Sequence, residues 1–366
     1  MNRRIAVLCQ YELLENRVGG MDHFYWAFNL YCKDHGVIID WFFPNAARHG
    51  DYPQMSIFSC EGHSLEQFFL EHLKTTETNY NCVMTHFLEL STVFAKNLKK
   101  LTSAKLIQVD HNPRPLEGYT LKKRIKKRFK GFLYSAYVDQ FVGVSKNTAF
   151  EIIRDFGHGV QSKTTTIYNG VNLSKIKKRT SDQRIGPLGN ADDRPIKLLV
   201  VSHLRASKGI QDLIQAVAVL KQKDNFELVI DLYGDGPYRQ SLEKMTKDLV
   251  VSSHFKFKGS VDVNEIYAEY DCLIHPSHME CMSLTLLEAL TAGLWVITTK
   301  VGGTPEFIAH DKNGWLYEAG AISELTELLR NAAKGMIFEN IIQTSKILQN
   351  HSLDGMVKHY YQLLQP

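Results

Sequence analysis

The chain has 366 residues, which is enough for two domains of ordinary size. Apolar residues make up 44% and charged residues 22% of the sequence, as in ordinary globular proteins, so a fibrous repeat or a disordered chain is excluded. The formal net charge of +4 is too small to indicate a protein that binds nucleic acid. The positive charge is also local, because residues 121–130 contain Lys122, Lys123, Arg124, Lys126, Lys127, Arg128 and Lys130.

Short apolar runs alternate with amphipathic segments along the first half of the chain. The predicted strands are Ile5–Leu8, Val37–Phe43, Cys82–His86, Leu106–Asp110, Phe141–Val144 and Thr165–Tyr168. Helices such as Met21–Asp34 and Thr148–Asp155 lie between them. Continuous apolar strands that alternate with helices predict a parallel sheet covered on both faces.

The second half of the chain repeats this alternation of strands and helices. Its predicted strands are Lys197–Ser202, Leu228–Tyr233, Phe255–Phe257, Cys272–His275, Trp295–Thr299 and Trp315–Tyr317. Its predicted helices are Ile210–Lys221, Tyr238–Asp248, Val263–Tyr270, Leu284–Ala292 and Ala321–Ala333, and Ile337–Leu364 is helical in pattern. Between the halves, Asn172–Arg194 is polar and contains Gly and Pro, as is typical of a linker.

The fold class predicted from these patterns is α/β, with two doubly wound parallel-sheet domains. We expect a first domain over residues 1–172, a linker over 173–194, a second domain over 195–345, and a C-terminal helix over 346–366 that packs back on the first domain. In open parallel sheets, ligands bind beyond the carboxyl ends of the strands, so two such domains would face each other across a cleft.

The cysteines and the apolar runs bear on the cellular compartment. Six cysteines are scattered without a C-x-x-C pair, which predicts free thiols in a reducing compartment. The first apolar run, Ile5–Cys9, is too short for a secretory signal, and no stretch of 18 apolar residues indicates a transmembrane helix. We therefore expect a cytoplasmic protein.

The segment Cys272–Ile308 carries the strongest indication of a binding site. A strand ends at His275, a loop follows, and Ser283 is suited to begin the next helix as its N-cap. Glu280 precedes the helix and Glu288 lies in its second turn. Carboxylates accept hydrogen bonds from hydroxyls, and the amides of a first helical turn bind anions. A nucleotide sugar, with its diphosphate, ribose and sugar hydroxyls, would suit this site.

A basic loop follows the predicted strand Lys197–Ser202. Arg205 and Lys208 lie in it, at the carboxyl end of a parallel strand. Fixed cations at that place stabilise the negative charge that grows on a departing diphosphate. The sequence contains no D-x-D pair, no H-E-x-x-H motif and no paired-cysteine site, so no metal is predicted, and the cations would neutralise the leaving group instead.

Together these motifs resemble those of the retaining nucleotide-sugar glycosyltransferases of family 4, the glycosyl transferases group 1, which have the GT-B fold of two Rossmann-like domains. The resemblance is carried by Arg205-x-x-Lys208-Gly209, Tyr233–Pro237, Glu280-x7-Glu288 and Gly302–Glu306. In the first half it is looser and rests on Gly19-Gly20 before a helix, His111 at a strand end and Tyr168–Asn172.

The resemblance implies a role for each matched residue. The implied donor-binding residues are Arg205 and Lys208 at the diphosphate, Ser260 and Val261 at the base, Met282, Ser283 and Leu284 beside the sugar, and Glu288 at the ribose. The implied catalytic residues are Glu280, His111, Lys208 and Arg205, and Gly19 and Gly20 would lie near the donor phosphate or the acceptor. The implied reaction moves a sugar from a UDP- or GDP-sugar to a glycan hydroxyl with retention, and it needs neither a metal nor another cofactor.

One departure from the family pattern leaves alternatives open. Cys281 stands where the family usually has glycine, so a side chain enters the loop beside the sugar site, with an effect expected on donor choice. A catalytically silent binding subunit, a nucleotide-sugar epimerase and a phosphorylase on the same fold are alternatives to a transferase. His86 ends another strand and is predicted to be a hydrogen-bonded structural residue.

Residues Leu121–Ala136 predict a basic amphipathic helix with two interpretations. Either the helix lies on an anionic membrane, or it packs one face on its own domain. The first interpretation implies a cytoplasmic protein that is peripheral on the inner face of the cell membrane. It also implies a lipid-linked oligosaccharide acceptor, as in bacterial surface-polysaccharide assembly.

Overall fold

The computed structural model describes residues 3–15, 18–179, 196–224, 228–336 and 347–365. The chain divides into two compact units. The first unit contains the chain up to Pro113, Glu117–Gly170 and the segment that begins at Leu353, and the second contains Val171–Ser352 with Arg114–Leu116. All six cysteines are buried, and none of them forms a disulfide. Among the described residues, no helix is both long enough and apolar enough to cross a bilayer.

The first unit is built on a sheet of seven parallel strands. In chain order the strands are β1 (Arg3–Cys9), β2 (Val37–Phe43), β3 (Ser56–Ser59), β4 (Cys82–His86), β5 (Lys105–Asp110), β6 (Gln140–Gly143) and β7 (Thr164–Thr166). The helices are α1 (Gly20–Asp34), α2 (Leu65–Thr75), α3 (Val93–Leu101), α4 (Leu121–Tyr134) and α5 (Lys146–Phe156). The strand order in space is β3-β2-β1-β4-β5-β6-β7. Residues 5–9 of β1 are buried on both faces, which explains their continuous apolar run.

The second unit has a sheet of six parallel strands. These are β8 (Lys197–Val201), β9 (Val229–Tyr233), β10 (Phe255–Gly259), β11 (Cys272–His275), β12 (Trp295–Thr299) and β13 (Trp315–Tyr317), in the order β10-β9-β8-β11-β12-β13. The helices are α6 (Ile210–Asp224), α7 (Arg239–Asp248), α8 (Leu284–Ala292) and α9 (Ile322–Ala333). The core lies between the sheet and α6 and α9, around Val200, Leu213, Ile230 and Leu325.

These two parallel sheets confirm the predicted fold class. Two predicted details are wrong or incomplete. The edge strand β3 was not predicted, because Ser56–Ser59 has only two apolar residues. The predicted helix Val263–Tyr270 is only a 3₁₀ turn over Tyr267–Glu269, because the Asp262 side chain accepts a hydrogen bond from the Asn264 amide (3.0 Å) and forms a local turn.

The predicted helical segment Ile337–Leu364 is described from residue 347 onward, and it is interrupted at His351 and Ser352. Residues 337–346 lie outside the described part of the chain, and α10 covers Leu353–Gln362. A parallel bridge between Val171 and Ser352 precedes this helix. Within the first unit, α10 packs on α1, where the rings of Tyr360 and Phe24 lie 5.0 Å apart.

The described part of the predicted linker is attached to the second unit, and residues 180–194 lie outside the described residues. Arg179 forms an ion pair with the buried Asp271 (3.0 Å), and its amide donates to the carbonyl of Ala292 at the end of α8. The Lys177 amide donates to Asn264. These contacts hold residues 177–179 against the second sheet.

Candidate functional site

The predicted donor-binding residues of the second unit gather where the strand order reverses. β8 and β11 are adjacent and parallel, but the chain leaves β8 toward β9 and leaves β11 toward β12. The loops that follow them, residues 202–209 and 276–283, lie beyond the carboxyl ends of the strands, where a doubly wound sheet forms its crevice. This switch point is where doubly wound sheets bind their ligands.

Close backbone contacts fix these two loops against each other. Gly209 adopts a left-handed φ of +66°, and a Cβ atom there would lie 1.8 Å from the carbonyl oxygen of Pro276. The amide of His278 donates to the carbonyl of Ser207 (2.8 Å). Only glycine allows the basic loop to approach the end of β11 this closely. The left-handed backbone of Gly209 therefore fixes where Lys208 lies beside the end of β11.

Lys208 and Glu280, which lie 72 residues apart in sequence, form an ion pair in this crevice. Lys208 Nζ is 2.6 Å from Glu280 Oε1, and His275 Nε2 lies 2.9 Å from the same oxygen. Burial alone would raise the pKa of Glu280, but the charge of Lys208 and the hydrogen bond from His275 lower it to about 2. Glu280 is therefore an ionised carboxylate near neutral pH.

Arg205 lies in the same loop but outside this ion pair. Its side chain is exposed, it precedes the 3₁₀ turn Ala206–Lys208, and no hydrogen bond or ion pair joins its side chain to another described residue. The structure therefore leaves its guanidinium available to an anion. The pairing of Lys208 with Glu280 was not predicted, because sequence spacing does not show which side chains meet across two loops.

The start of α8 forms the wall of the crevice next to Glu280. Ser283 caps the helix by accepting a hydrogen bond from the Leu286 amide (3.3 Å), which confirms the predicted N-cap. Among the described residues, the backbone amides of Met282, Ser283 and Leu284 donate to no protein acceptor. These three amides and the helix dipole make this helix tip suited to an anion or a hydroxyl.

The loop around Gly302 packs against the backbone of Glu280 and Cys281. Gly302 has a φ of +55°, and a Cβ atom there would lie 1.8 Å from the Glu280 carbonyl oxygen. The amide of Gly303 donates to the carbonyl of Cys281 (2.9 Å). Cys281 itself is buried and has no positive φ, so the side chain stands in place of glycine without backbone strain.

Glu288 is the second carboxylate of the site. Tyr267 donates its hydroxyl to Glu288 Oε2 (2.8 Å), and Glu288 Oε1 has no partner among the described residues. Burial raises the pKa of Glu288, the Tyr267 hydrogen bond opposes that shift, and the charge of Asp262 adds to it. Ser260 and Val261, the predicted base-binding residues, are exposed and precede Asp262. Tyr267 was missed in the sequence because its segment was predicted to be helical.

No metal-binding cluster of three or more His, Cys, Asp or Glu side chains occurs within the described ranges. Independence from metal ions stays a prediction, because this finding does not test it.

The first unit has a corresponding switch point between β1 and β4. Gly19 precedes α1 and Gly20 begins it, and the Gly19 amide donates to the buried Asp22 (2.9 Å). Asp22 also accepts hydrogen bonds from the hydroxyls of Tyr11 (2.9 Å) and Tyr52 (2.6 Å). Sequence reasoning missed Asp22, although an acidic residue three positions after an N-cap is a capping-box signal.

His111, the predicted acceptor-side residue, forms a pair with His86. His86 Nδ1 lies 2.9 Å from His111 Nε2, and the ring of Phe87 stacks on His111 at 4.2 Å. Burial lowers the pKa of His111 to about 3 and that of His86 well below its ordinary value, so both rings are neutral near pH 7. The prediction that His86 is hydrogen-bonded is confirmed. The identity of its partner was not predicted.

Two α/β units, each built on a parallel sheet, are the architecture of the GT-B fold. Residues 184–343 match the family described as glycosyl transferases group 1. This match lies over the second unit, which carries the motifs that resemble the family.

Comparisons with individual proteins agree with this family. The chain is 29% identical over 287 residues to an uncharacterised glycosyltransferase of Methanocaldococcus jannaschii, covering 75% of this chain and 71% of that protein. It is 36% identical over 138 residues to the lipopolysaccharide glucosyltransferase WaaG of Escherichia coli, covering 37% of this chain and 36% of WaaG. The crystal structure of Anabaena HepE with UDP-glucose superposes with a TM-score of 0.74, at 19% identity and 99% coverage of both chains.

Proposed function

We propose that this protein is a retaining glycosyltransferase that moves a hexose-type sugar from a UDP- or GDP-sugar to a hydroxyl of a growing glycan, without a metal ion. The observation that carries the proposal is the Lys208–Glu280 ion pair at the switch point, beside the unpartnered amides of the α8 tip. Relatives named for lipopolysaccharide and amylovoran synthesis support surface polysaccharide as the pathway.

The cations of the basic loop would bind the donor diphosphate. A diphosphate carries about two negative charges, and a third develops as the sugar leaves. The exposed Arg205 and the flexible Lys208 would meet this charge together with the helix dipole of α8. On this proposal, Lys208 exchanges Glu280 for the diphosphate when the donor binds. Fixed positive charge in place before reaction would lower the barrier without a metal.

The carboxylates would hold the two sugars of the donor. Glu280 Oε2 has no partner among the described residues and would accept a hydrogen bond from a hydroxyl of the transferred sugar. Glu288 Oε1 would accept from the ribose, while Tyr267 keeps the carboxylate in place. The Gly19–Gly20 turn and His111 would serve the acceptor side.

The transfer itself would be a substitution on one face of the sugar. The bond between the anomeric carbon and the diphosphate oxygen breaks, and the acceptor oxygen bonds to that carbon from the same side. The acceptor proton passes to the departing phosphate oxygen, so atoms and charge balance without a protein base. The role of Lys208 and Arg205 in this step is electrostatic.

The experiment that tests the proposal is a screen of nucleotide sugars with the purified protein. We expect slow release of the nucleotide from one UDP- or GDP-sugar in the absence of an acceptor, and its acceleration by a glycan acceptor. Conversion of the sugar to its epimer would identify an epimerase instead. Failure to bind UDP, GDP or ADP in calorimetry would favour a silent binding subunit, and either outcome would overturn the proposal.

We also propose that α4 holds the protein on an anionic membrane, where a lipid-linked acceptor would be found. The helix packs on α5 through Gly131, and Lys127 pairs with Asp155 (2.9 Å). Its apolar side chains do not face this contact but are exposed: Leu121, Ile125, Phe129 and Phe132, the last at 83%. Exposed apolar residues between unburied cations suit the interface of an anionic bilayer, which binds each cation with about 1 kcal/mol.

Vesicle sedimentation tests this second proposal. The wild-type protein should sediment with vesicles that contain phosphatidylglycerol and stay in solution with purely zwitterionic vesicles. Phe129→Ser with Phe132→Ser should weaken binding at least about tenfold, because two exposed rings no longer enter the interface. Phe150→Ser, which changes an exposed ring on α5, is the matched control. Equal binding of the double variant and the wild type would contradict the proposal.

A further inference from the structure

Two donors converge on one oxygen of Glu280. Lys208 Nζ (2.6 Å) and His275 Nε2 (2.9 Å) both contact Oε1. Because this carboxylate is ionised, Nε2 of His275 carries the proton and donates it. The family motifs account for Lys208 and Glu280, but they assign nothing to His275.

The two donors differ in how firmly they are held. His275 is the last residue of β11, its side chain is 5% exposed, and its carbonyl accepts a hydrogen bond from the buried Thr298 (3.0 Å). Lys208 is 25% exposed and extends on a flexible four-carbon chain from a loop. A rigid imidazole keeps its position when a ligand arrives, whereas an ammonium follows the larger negative charge.

A bound diphosphate would therefore separate the two donors. It draws Lys208 away from Glu280, and the carboxylate then loses the partner that opposes the cost of its burial. Without a second donor, the partly buried Glu280 carboxylate would turn toward water or take up a proton. Either change would remove the acceptor that faces the sugar.

We propose that His275 is a positioning residue that holds the Glu280 carboxylate in place when Lys208 turns to the donor diphosphate. The inference rests on the proposed function, since it needs a diphosphate donor at this site. It assigns His275 a role in the sugar half of the site rather than in binding the nucleotide.

The test compares variants of His275 by donor hydrolysis. His275→Phe should lower kcat about 10- to 100-fold, the value of one hydrogen bond to a charged group, while KM for the donor stays within about twofold. His275→Gln places an amide N–H near the former Nε2 and should recover most of kcat. His254→Gln changes another buried histidine, which bonds the backbone carbonyl of Leu228, and should leave kcat unchanged. Melting temperatures verify that each variant is folded.

A double-mutant cycle separates positioning from simple structural support. In the Glu280→Ala background, His275→Phe should reduce kcat by less than about twofold further, because the side chain that His275 holds is absent. Additive losses, or a Gln variant as slow as the Phe variant, would overturn the inference. If Lys208→Ala is inactive but His275→Phe is not, the proposed function stands and this inference fails. If the wild type acts on no nucleotide sugar, the proposed function is wrong, and the inference that rests on it is wrong as well.

Discussion

Replacing Lys208 by alanine is the most informative single change in this molecule. The substitution removes the cation that lies 2.6 Å from Glu280 Oε1 and leaves Glu280 with His275 as its remaining donor. The loop itself should keep its course, because the contact of Gly209 with Pro276 is a backbone contact that the side chain does not enter. The change therefore isolates the charge.

The expected magnitudes for activity and stability differ. Loss of one fixed donor aimed at developing charge costs about 3–4 kcal/mol, so kcat should fall about 100- to 1000-fold. The pair is not fully buried, with 25% of Lys208 and 12% of Glu280 exposed, and His275 still satisfies the carboxylate. The stability cost should therefore be about 1–2 kcal/mol, which lowers Tm by roughly 2–8 °C.

The assay is nucleotide release from the donor identified in the screen, measured alongside thermal unfolding. Lys244→Ala is the matched control, because Lys244 also pairs with a carboxylate, Asp248 (2.5 Å), but on the exposed surface of α7. That variant should keep full activity and lose at most about 0.5 kcal/mol of stability. A folded Lys208→Ala protein with the wild-type rate would refute the role assigned to this cation.

Three further outcomes follow from the same site. The folded-state pKa of Glu280 is about 2, below its ordinary value of 4.5, so ionisation of Glu280 stabilises the fold above about pH 4.5, and this contribution is lost as the pH falls toward 2. The Tm difference between wild type and Glu280→Gln should therefore shrink between about pH 6 and pH 3. A constant Tm difference would contradict the lowered pKa. Gly302→Ala should nearly abolish hydrolysis, because the new Cβ would meet the Glu280 carbonyl oxygen. Gly320→Ala is the control, since Gly320 also has a positive φ but open space around it, and it should cost only about 1 kcal/mol of stability. Equal activity in the two variants would contradict the packing argument. Tyr267→Phe should weaken nucleotide binding about fivefold in calorimetry by releasing Glu288, and unchanged affinity would exclude this carboxylate from the ribose site.

The sequence was sufficient for central strands such as β4 and β12 because these strands are buried on both faces. Continuous apolar runs such as Cys82–His86, Trp295–Thr299 and Trp315–Tyr317 coincide with strands of the structure at both ends. Prediction failed where a local polar contact competes with apolar spacing. Val263–Tyr270 has the spacing of a helix, but Asp262 captures the amide of Asn264 and only one 3₁₀ turn forms.

Parts of the site could be predicted from the sequence where they depend on local sequence alone. Ser283 was recognised as an N-cap because capping depends on a residue type next to a helix start. The partners His275 and Tyr267 were not recognised, since each meets its carboxylate through tertiary packing rather than through sequence spacing. The same holds for His86, whose contact with His111 joins two neighbouring strand ends 25 residues apart.

Calorimetric titration with UDP, GDP and ADP tests the central claim most directly, because it asks whether the α8 tip and the basic loop bind a diphosphate at all. The account predicts that the wild type binds at least one of the three. The variant with both Arg205→Ala and Lys208→Ala should bind that nucleotide at least about 100-fold more weakly, since two charge-assisted hydrogen bonds are lost. Binding that is equally strong in the double variant, or no binding by the wild type, would contradict it.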